Sequence, residues 1–94
     1  MPNSFHSRVS APEDVLVREL GGESVLRNLA SETYFGLDEA GTRMWALMTT
    51  APSIQAAYEA LLAEYSVAPE VLRRDMEALL GELLEHGLVE LQDG

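Results

Sequence analysis

The chain has 94 residues, 47% of them hydrophobic, enough for one domain with a modest core. It has no cysteine, which excludes disulfide staples, thiolate nucleophiles and thiolate metal sites. Sixteen Asp and Glu against six Arg give a formal net charge of −10, a balance that repels nucleic acid and suits a cationic or neutral peptide, or simply solubility. No run approaches the roughly 18 apolar residues of a membrane span, and Met1 to Ser10 lack the apolar stretch of a secretory signal, so a cytoplasmic protein is expected.

Residues 1–12, with Pro2, Asn3, Ser4 and Pro12, read as a weakly ordered arm ahead of a single domain over 13–91. Three short runs follow: Val15 to Leu20, Ser24 to Leu29 and Thr33 to Leu37, rich in β-branched and aromatic residues and separated by Gly21-Gly22 and by Ala30-Ser31-Glu32. Breaks this short join antiparallel strands, since a parallel crossover needs a dozen residues or more. The period then becomes helical. Asp38 is a good N-cap, and Ala40, Met44, Leu47 and Met48 share one face, with Trp45 at its margin, which predicts a helix over about 39–49. Pro52 breaks the chain and Ser53 caps a second helix, with Ile54, Ala57, Tyr58, Leu61, Leu62 and Tyr65 as its stripe. Pro69 and Glu70 suit the start of a third helix, Leu72, Met76, Leu79, Leu80 and Leu83 form its apolar face, and Gly87 ends it ahead of an apolar tail, Leu88 to Leu91. The expected fold class is α+β in the order βββααα, a three-stranded antiparallel sheet followed by three helices in a winged-helix-like arrangement.

The residues hold no constellation for catalysis. His6 and His86 are eighty positions apart, and neither has metal-ligand spacing or a neighbouring nucleophile; His86 falls in the last turn of the third helix, where the macrodipole favours it. Asp38-Glu39 serves a helix start, Asp75, Glu82 and Glu85 read as a solvated face, and the glycines form no phosphate loop. No catalytic residue, metal or cofactor is expected. The second helix presents Gln55, Glu59 and Glu64, and its two carboxylates would meet phosphates unfavourably, so no nucleic-acid partner is expected.

The run Val25-Leu26-Arg27-Asn28-Leu29, then Thr33-Tyr34-Phe35-Gly36-Leu37-Asp38, then Gly41 and Trp45, resembles the pattern of PqqD-like domains. The resemblance continues through Tyr65 and Val67, Asp75-Met76, Leu79-Leu80, Leu83 and the closing Gly87-Leu88. It spans about residues 13–89, with Asp38 standing where many relatives carry an asparagine cap, a change that preserves capping. It implies a non-catalytic domain that binds the leader segment of a ribosomally made precursor peptide. It also implies a partner maturation enzyme: a leader peptidase, as in the lasso-peptide pathways whose free-standing domains this chain resembles in length, or a radical enzyme, as in quinone-cofactor and sactipeptide-like pathways, a choice the residues leave open.

The same resemblance implies where the leader sits: in the groove between the third strand and the third helix, running antiparallel to Glu32, Thr33, Tyr34, Phe35, Gly36 and Leu37. An unpaired strand edge can recruit an extended peptide as an additional strand, and this strand carries no proline to block it. Alternation turns Thr33, Phe35 and Leu37 toward the helices and Tyr34 away. The expected pocket is walled by Phe35, Leu72, Met76 and Leu79, with Arg73, Arg74 and Asp75 on the flank of the helix as pairing partners for charged leader residues. The alternatives are a winged-helix DNA-binding regulator and a structural protein-interaction domain; a precursor-peptide reading frame beside the gene separates them from the first reading.

Overall fold

The computed structural model describes residues 4–93. Along the chain lie a turn of 3₁₀ helix at Ser4–His6, then β1 (Ser7–Ser10), β2 (Val15–Leu20), β3 (Glu23–Asn28), β4 (Thr33–Leu37), α1 (Glu39–Thr50), α2 (Ile54–Glu64), α3 (Pro69–Glu85) and β5 (Glu90–Asp93). The α+β class, the three helices and the three-stranded antiparallel sheet in the order β2-β3-β4 are as the sequence predicts. The element order βββααα needs correction, because an extra antiparallel pair joins the two ends of the chain, with Val9 opposite Leu91 and Ser10 opposite Glu90. β1 lies in the segment read from sequence as an arm, and Phe5 and Val9 of that segment are fully buried. Residues 1–3 of the arm fall outside the described residues.

The local chemistry explains the elements. Gly21 and Gly22 both take positive φ, 64° and 86°, as a two-residue type I′ hairpin turn requires, and they set Leu20 opposite Glu23. Asp38 caps α1 by accepting from the Gly41 N–H at 2.8 Å, and Ser53 caps α2 by accepting from the Ala56 N–H at 3.1 Å. Pro69 opens α3, where a missing N–H costs nothing. At its end Gly87 has φ 69°, the Leu88 N–H donates to the Leu83 carbonyl at 2.8 Å and the Gly87 N–H to the Leu84 carbonyl at 3.1 Å, a Schellman cap.

The sheet is tied to the helices by polar contacts as well as by packing. Ser24 Oγ and Thr42 Oγ1 lie 2.8 Å apart in a buried contact between β3 and α1. Asn28, buried at the end of β3, donates from Nδ2 to the Gly87 carbonyl at 2.9 Å, while its Oδ1 accepts from the Ala30 and Ser31 N–H groups. One side chain thus shapes the turn before β4 and fixes the sheet to the end of α3. Arg43 on α1 pairs with Glu64 at the end of α2, and that hydrogen-bonded guanidinium holds the Glu64 carboxyl below the usual carboxylate range. The pair is exposed and carries little of the fold.

The core is the joint product of all three helices, β3 and the two chain ends. Leu26, Met48, Ile54, Leu61, Met76 and Leu83 are fully buried in it. On α1 the buried face runs through Gly41, Met44, Trp45 and Met48, so Trp45 is at its centre and Ala40 is exposed. No helix among the described residues is long and apolar enough to cross a membrane.

Candidate functional site

Among the described residues β4 is an edge strand, with β3 on one side and no strand on the other. Its burial alternates as expected: Thr33 and Phe35 are half-buried and Leu37 is buried on the helix side, while Tyr34 and Gly36 are exposed on the outer side. Which backbone groups face the free edge follows from the register. The Leu20–Glu23 pair closes a two-residue turn and is therefore a hydrogen-bonded pair, and the Leu29 N–H donates to the Asp14 carbonyl at 2.9 Å in the same phase. Residues Val25 and Arg27 thus bond to β2, and Ser24, Leu26 and Asn28 turn to their partners Leu37, Phe35 and Thr33 on β4. The N–H and C=O groups of Tyr34 and Gly36 are left pointing along the free edge.

Beside that edge runs a groove of about 490 Å³ between β4 and α3, floored by the start of α1. Phe35 and Leu37 form one wall, Asp75, Ala78, Leu79 and Glu82 the other, with Asp38, Gly41 and Met44 at the base. The four α3 residues recur at i, i+3, i+4 and i+7 and so occupy one flank of the helix. A smaller hollow of about 110 Å³ continues from it past Ala40, Met44 and Asp75 to Tyr65, Val67, Val71 and Leu72. At the other end the Phe35 ring meets His86, 5.4 Å between centroids, and His86 Nδ1 lies 2.8 Å from the Glu82 carbonyl oxygen, in keeping with a structural role for this histidine. The opposite edge strand, β2, is almost wholly exposed, and the hollow of about 550 Å³ beside it is lined by strand residues alone, Leu16, Val17, Arg18, Val25, Arg27 and Tyr34, with no helix wall.

The structure brings together only part of the residue set expected from sequence. Thr33, Tyr34, Phe35, Gly36 and Leu37 form the edge strand, and Asp75 and Leu79 face it across the groove. Glu32 sits just before the strand with φ 57°, a left-handed conformation that starts β4. Met76 is fully buried and does not line the groove, and Leu72 lines the smaller hollow and not the groove. Arg73 points to the other side of α3, where its guanidinium lies 4.2 Å from the Phe5 ring centroid and 3.7 Å from the Glu77 carboxylate. Arg74 does not line the groove. Six groove-lining residues, Asp38, Ala40, Gly41, Met44, Ala78 and Glu82, lie outside the site set expected from sequence, where Glu82 reads as part of a solvated face. The available signal was position, since Ala78 and Glu82 flank Leu79 at the margin of the apolar stripe.

Groove and edge offer backbone hydrogen bonds, apolar walls and carboxylates. Among the described residues no group of His, Cys, Asp or Glu is arranged to hold a metal ion.

Comparison with known proteins agrees with this fold. The sequence profile of coenzyme PQQ synthesis protein D (PqqD) matches residues 23–89. The solved structure of TbiB1 in complex with the TbiA(beta) leader peptide is 33% identical, with 86% of this chain and 94% of that one covered and a TM-score of 0.79. Lasso peptide synthetase B1 complexed with the leader peptide is 22% identical, covers 88% of this chain and 98% of its own, with a TM-score of 0.78, and supports the fold. No curated protein matches the sequence. The chain belongs to the PqqD family, and it is a non-catalytic domain of that family.

Proposed function

We propose that the protein binds the leader segment of a ribosomally made precursor peptide by strand addition to β4 and delivers it to a separate maturation enzyme, a leader peptidase of the lasso type. The observation that carries the reading is the open edge of β4 lying directly beside the groove walled by Phe35 and Leu79. The solved relatives, which hold leader peptides, support it. The leader runs antiparallel to Glu32 to Leu37, in the cytoplasm, and 13–91 with its paired N-terminal strand acts as one binding domain. The helices and hairpin, winged-helix in kind, serve a peptide and not DNA, since Glu59 and Glu64 dominate the polar surface of α2.

Magnitudes set the division of labour. Tyr34 and Gly36 offer four backbone groups, and at a net 0.5–1.5 kcal/mol each these contribute about 2–6 kcal/mol. Ordering a free leader costs about 2–5 kcal/mol, so backbone pairing alone roughly breaks even. A side chain of leucine size entering the groove adds about 1.5–3 kcal/mol, and net affinity and selectivity come from there. Asp75 and Glu82, both exposed, adjust binding by at most about 1 kcal/mol each.

The test is reconstitution with the cognate precursor and leader peptidase. The protein alone should give no turnover of the precursor, and adding it should raise the kcat/KM of the peptidase at least tenfold. A peptidase equally fast with and without it, or no heat of binding to the leader in calorimetry, contradicts the reading.

A further inference from the structure

Nothing in the fold calls for a glycine at position 36. Its φ lies outside the left-handed range, and a Cβ built there would meet no heavy atom within 4 Å. Glycine weakens a strand interior, through both backbone entropy and the missing side chain, and is often found where another group approaches closely. Here the open space leads somewhere. On the outer face of the sheet Gly36 is opposite Val25, and Val25 is opposite Arg18, so the row from the free edge inward reads Gly36, Val25, Arg18. A hollow of about 440 Å³ lies over this row, lined by Gly36, Val25, Arg18 and Leu20, with the carboxylate residues Glu23 and Asp38 also in its lining. Leu20 is 80% exposed and Val25 45%, so two large apolar side chains stand uncovered on the face away from the core.

We propose that the missing side chain of Gly36 is the entrance to a second subsite, on the outer face of the sheet, which takes a large apolar side chain of the same peptide that occupies the groove. The inference rests on strand addition to β4. A peptide strand beside β4 turns alternate side chains to opposite faces. One set enters the groove against Phe35 and Leu79; the other lies on the outer face, where Gly36 leaves a way across to Val25 and Leu20. At Tyr34, the other outward position of the strand, the phenol ring itself stands beside the edge, with the Arg27 guanidinium 5.1 Å from its centroid, and the hollow of about 550 Å³ there has both side chains in its lining. The Arg18 stem flanks the apolar floor while its charged head stays in water. The peptide is thus held on both faces, and its two anchoring side chains are separated by an odd number of positions.

The test pans a phage-displayed library of random nine-residue peptides against the wild-type protein and against Gly36→Val, a β-branched residue that fits a strand, keeps the edge N–H and fills the gap. The wild type should enrich peptides with two large apolar residues at an odd spacing. Gly36→Val should keep one of them and replace the other with Gly, Ala or Ser, and a synthetic wild-type binder should lose at least tenfold in Kd on the variant while Tm stays equal or rises. The same motif from both proteins, or equal Kd, overturns the second subsite. A Gly36→Pro variant separates the two levels: if it binds the selected peptides as tightly as the wild type, strand addition itself fails, and if the wild type enriches nothing, both readings fall.

Discussion

Replacing Tyr34 or Gly36 with proline should weaken leader binding sharply and leave the fold standing. The N–H of each points along the free edge of β4, so proline removes no bond to β3, and proline is tolerated on edge strands in that position. The residues before them, Thr33 and Phe35, are already in a strand, the conformation a following proline favours. What is lost is a donor to the added strand and the space the peptide backbone needs. We expect a loss of at least about 2 kcal/mol per variant, roughly thirtyfold in Kd, by calorimetry, with the circular dichroism spectrum retained. Phe35→Pro is the opposite control, since the Phe35 N–H belongs to the β3 ladder and its loss should unfold the sheet. Tight binding by both folded proline variants would show that the peptide does not pair with β4.

The second large effect concerns the N-terminal segment. Phe5 is 1% exposed, its ring meets Tyr58 edge-on at 5.7 Å between centroids, and the Arg73 guanidinium covers its face. Phe5→Ala should cost about 3–5 kcal/mol, against a total stability of about 5–15 kcal/mol for a domain of ordinary stability. Denaturant unfolding should show a midpoint reduced by about a fifth or more, or a protein already partly unfolded in buffer. A change below about 1 kcal/mol would mean that this segment packs only loosely on the core.

That segment also marks the limit of what the sequence discloses. The three-stranded sheet and the helices are legible because each carries its own local signal: alternating β-branched and aromatic residues around Gly21-Gly22, caps at Asp38 and Ser53, Pro69 at a helix start, Gly87 at a helix end. β1 and β5 carry none. Ser7–Ser10 has one apolar residue, Val9, and its partner strand is some eighty positions away, so only the closed fold makes it a strand. Asn28 is similar, because a polar residue ending a strand gives no sign that it reaches the Gly87 carbonyl.

The candidate site is legible to the same degree. Phe35, Asp75 and Leu79 follow from alternation and helical period, and they do face each other across the groove. Leu72 and Met76 were expected there too, yet residues at the centre of an amphipathic stripe sink into the core, and the margin of the stripe, Leu79 with Ala78, is left to face a ligand. Arg73 was expected beside a charged leader. Helical period alone puts it about 160° around α3 from Asp75, beyond the far margin of the apolar stripe, where it meets Phe5.

The central claim is that a leader adds to β4 as a strand, and amide hydrogen exchange followed residue by residue by NMR tests it most directly. In the free protein the amides of Thr33, Phe35 and Leu37 should be protected by the β3 ladder, and those of Tyr34 and Gly36 should exchange freely. Saturating leader peptide should slow exchange at Tyr34 and Gly36 by tenfold or more and leave the free edge of β2, at Val17 and Glu19, unchanged. Binding with no new protection at Tyr34 and Gly36, or with protection at the β2 edge instead, would contradict the account.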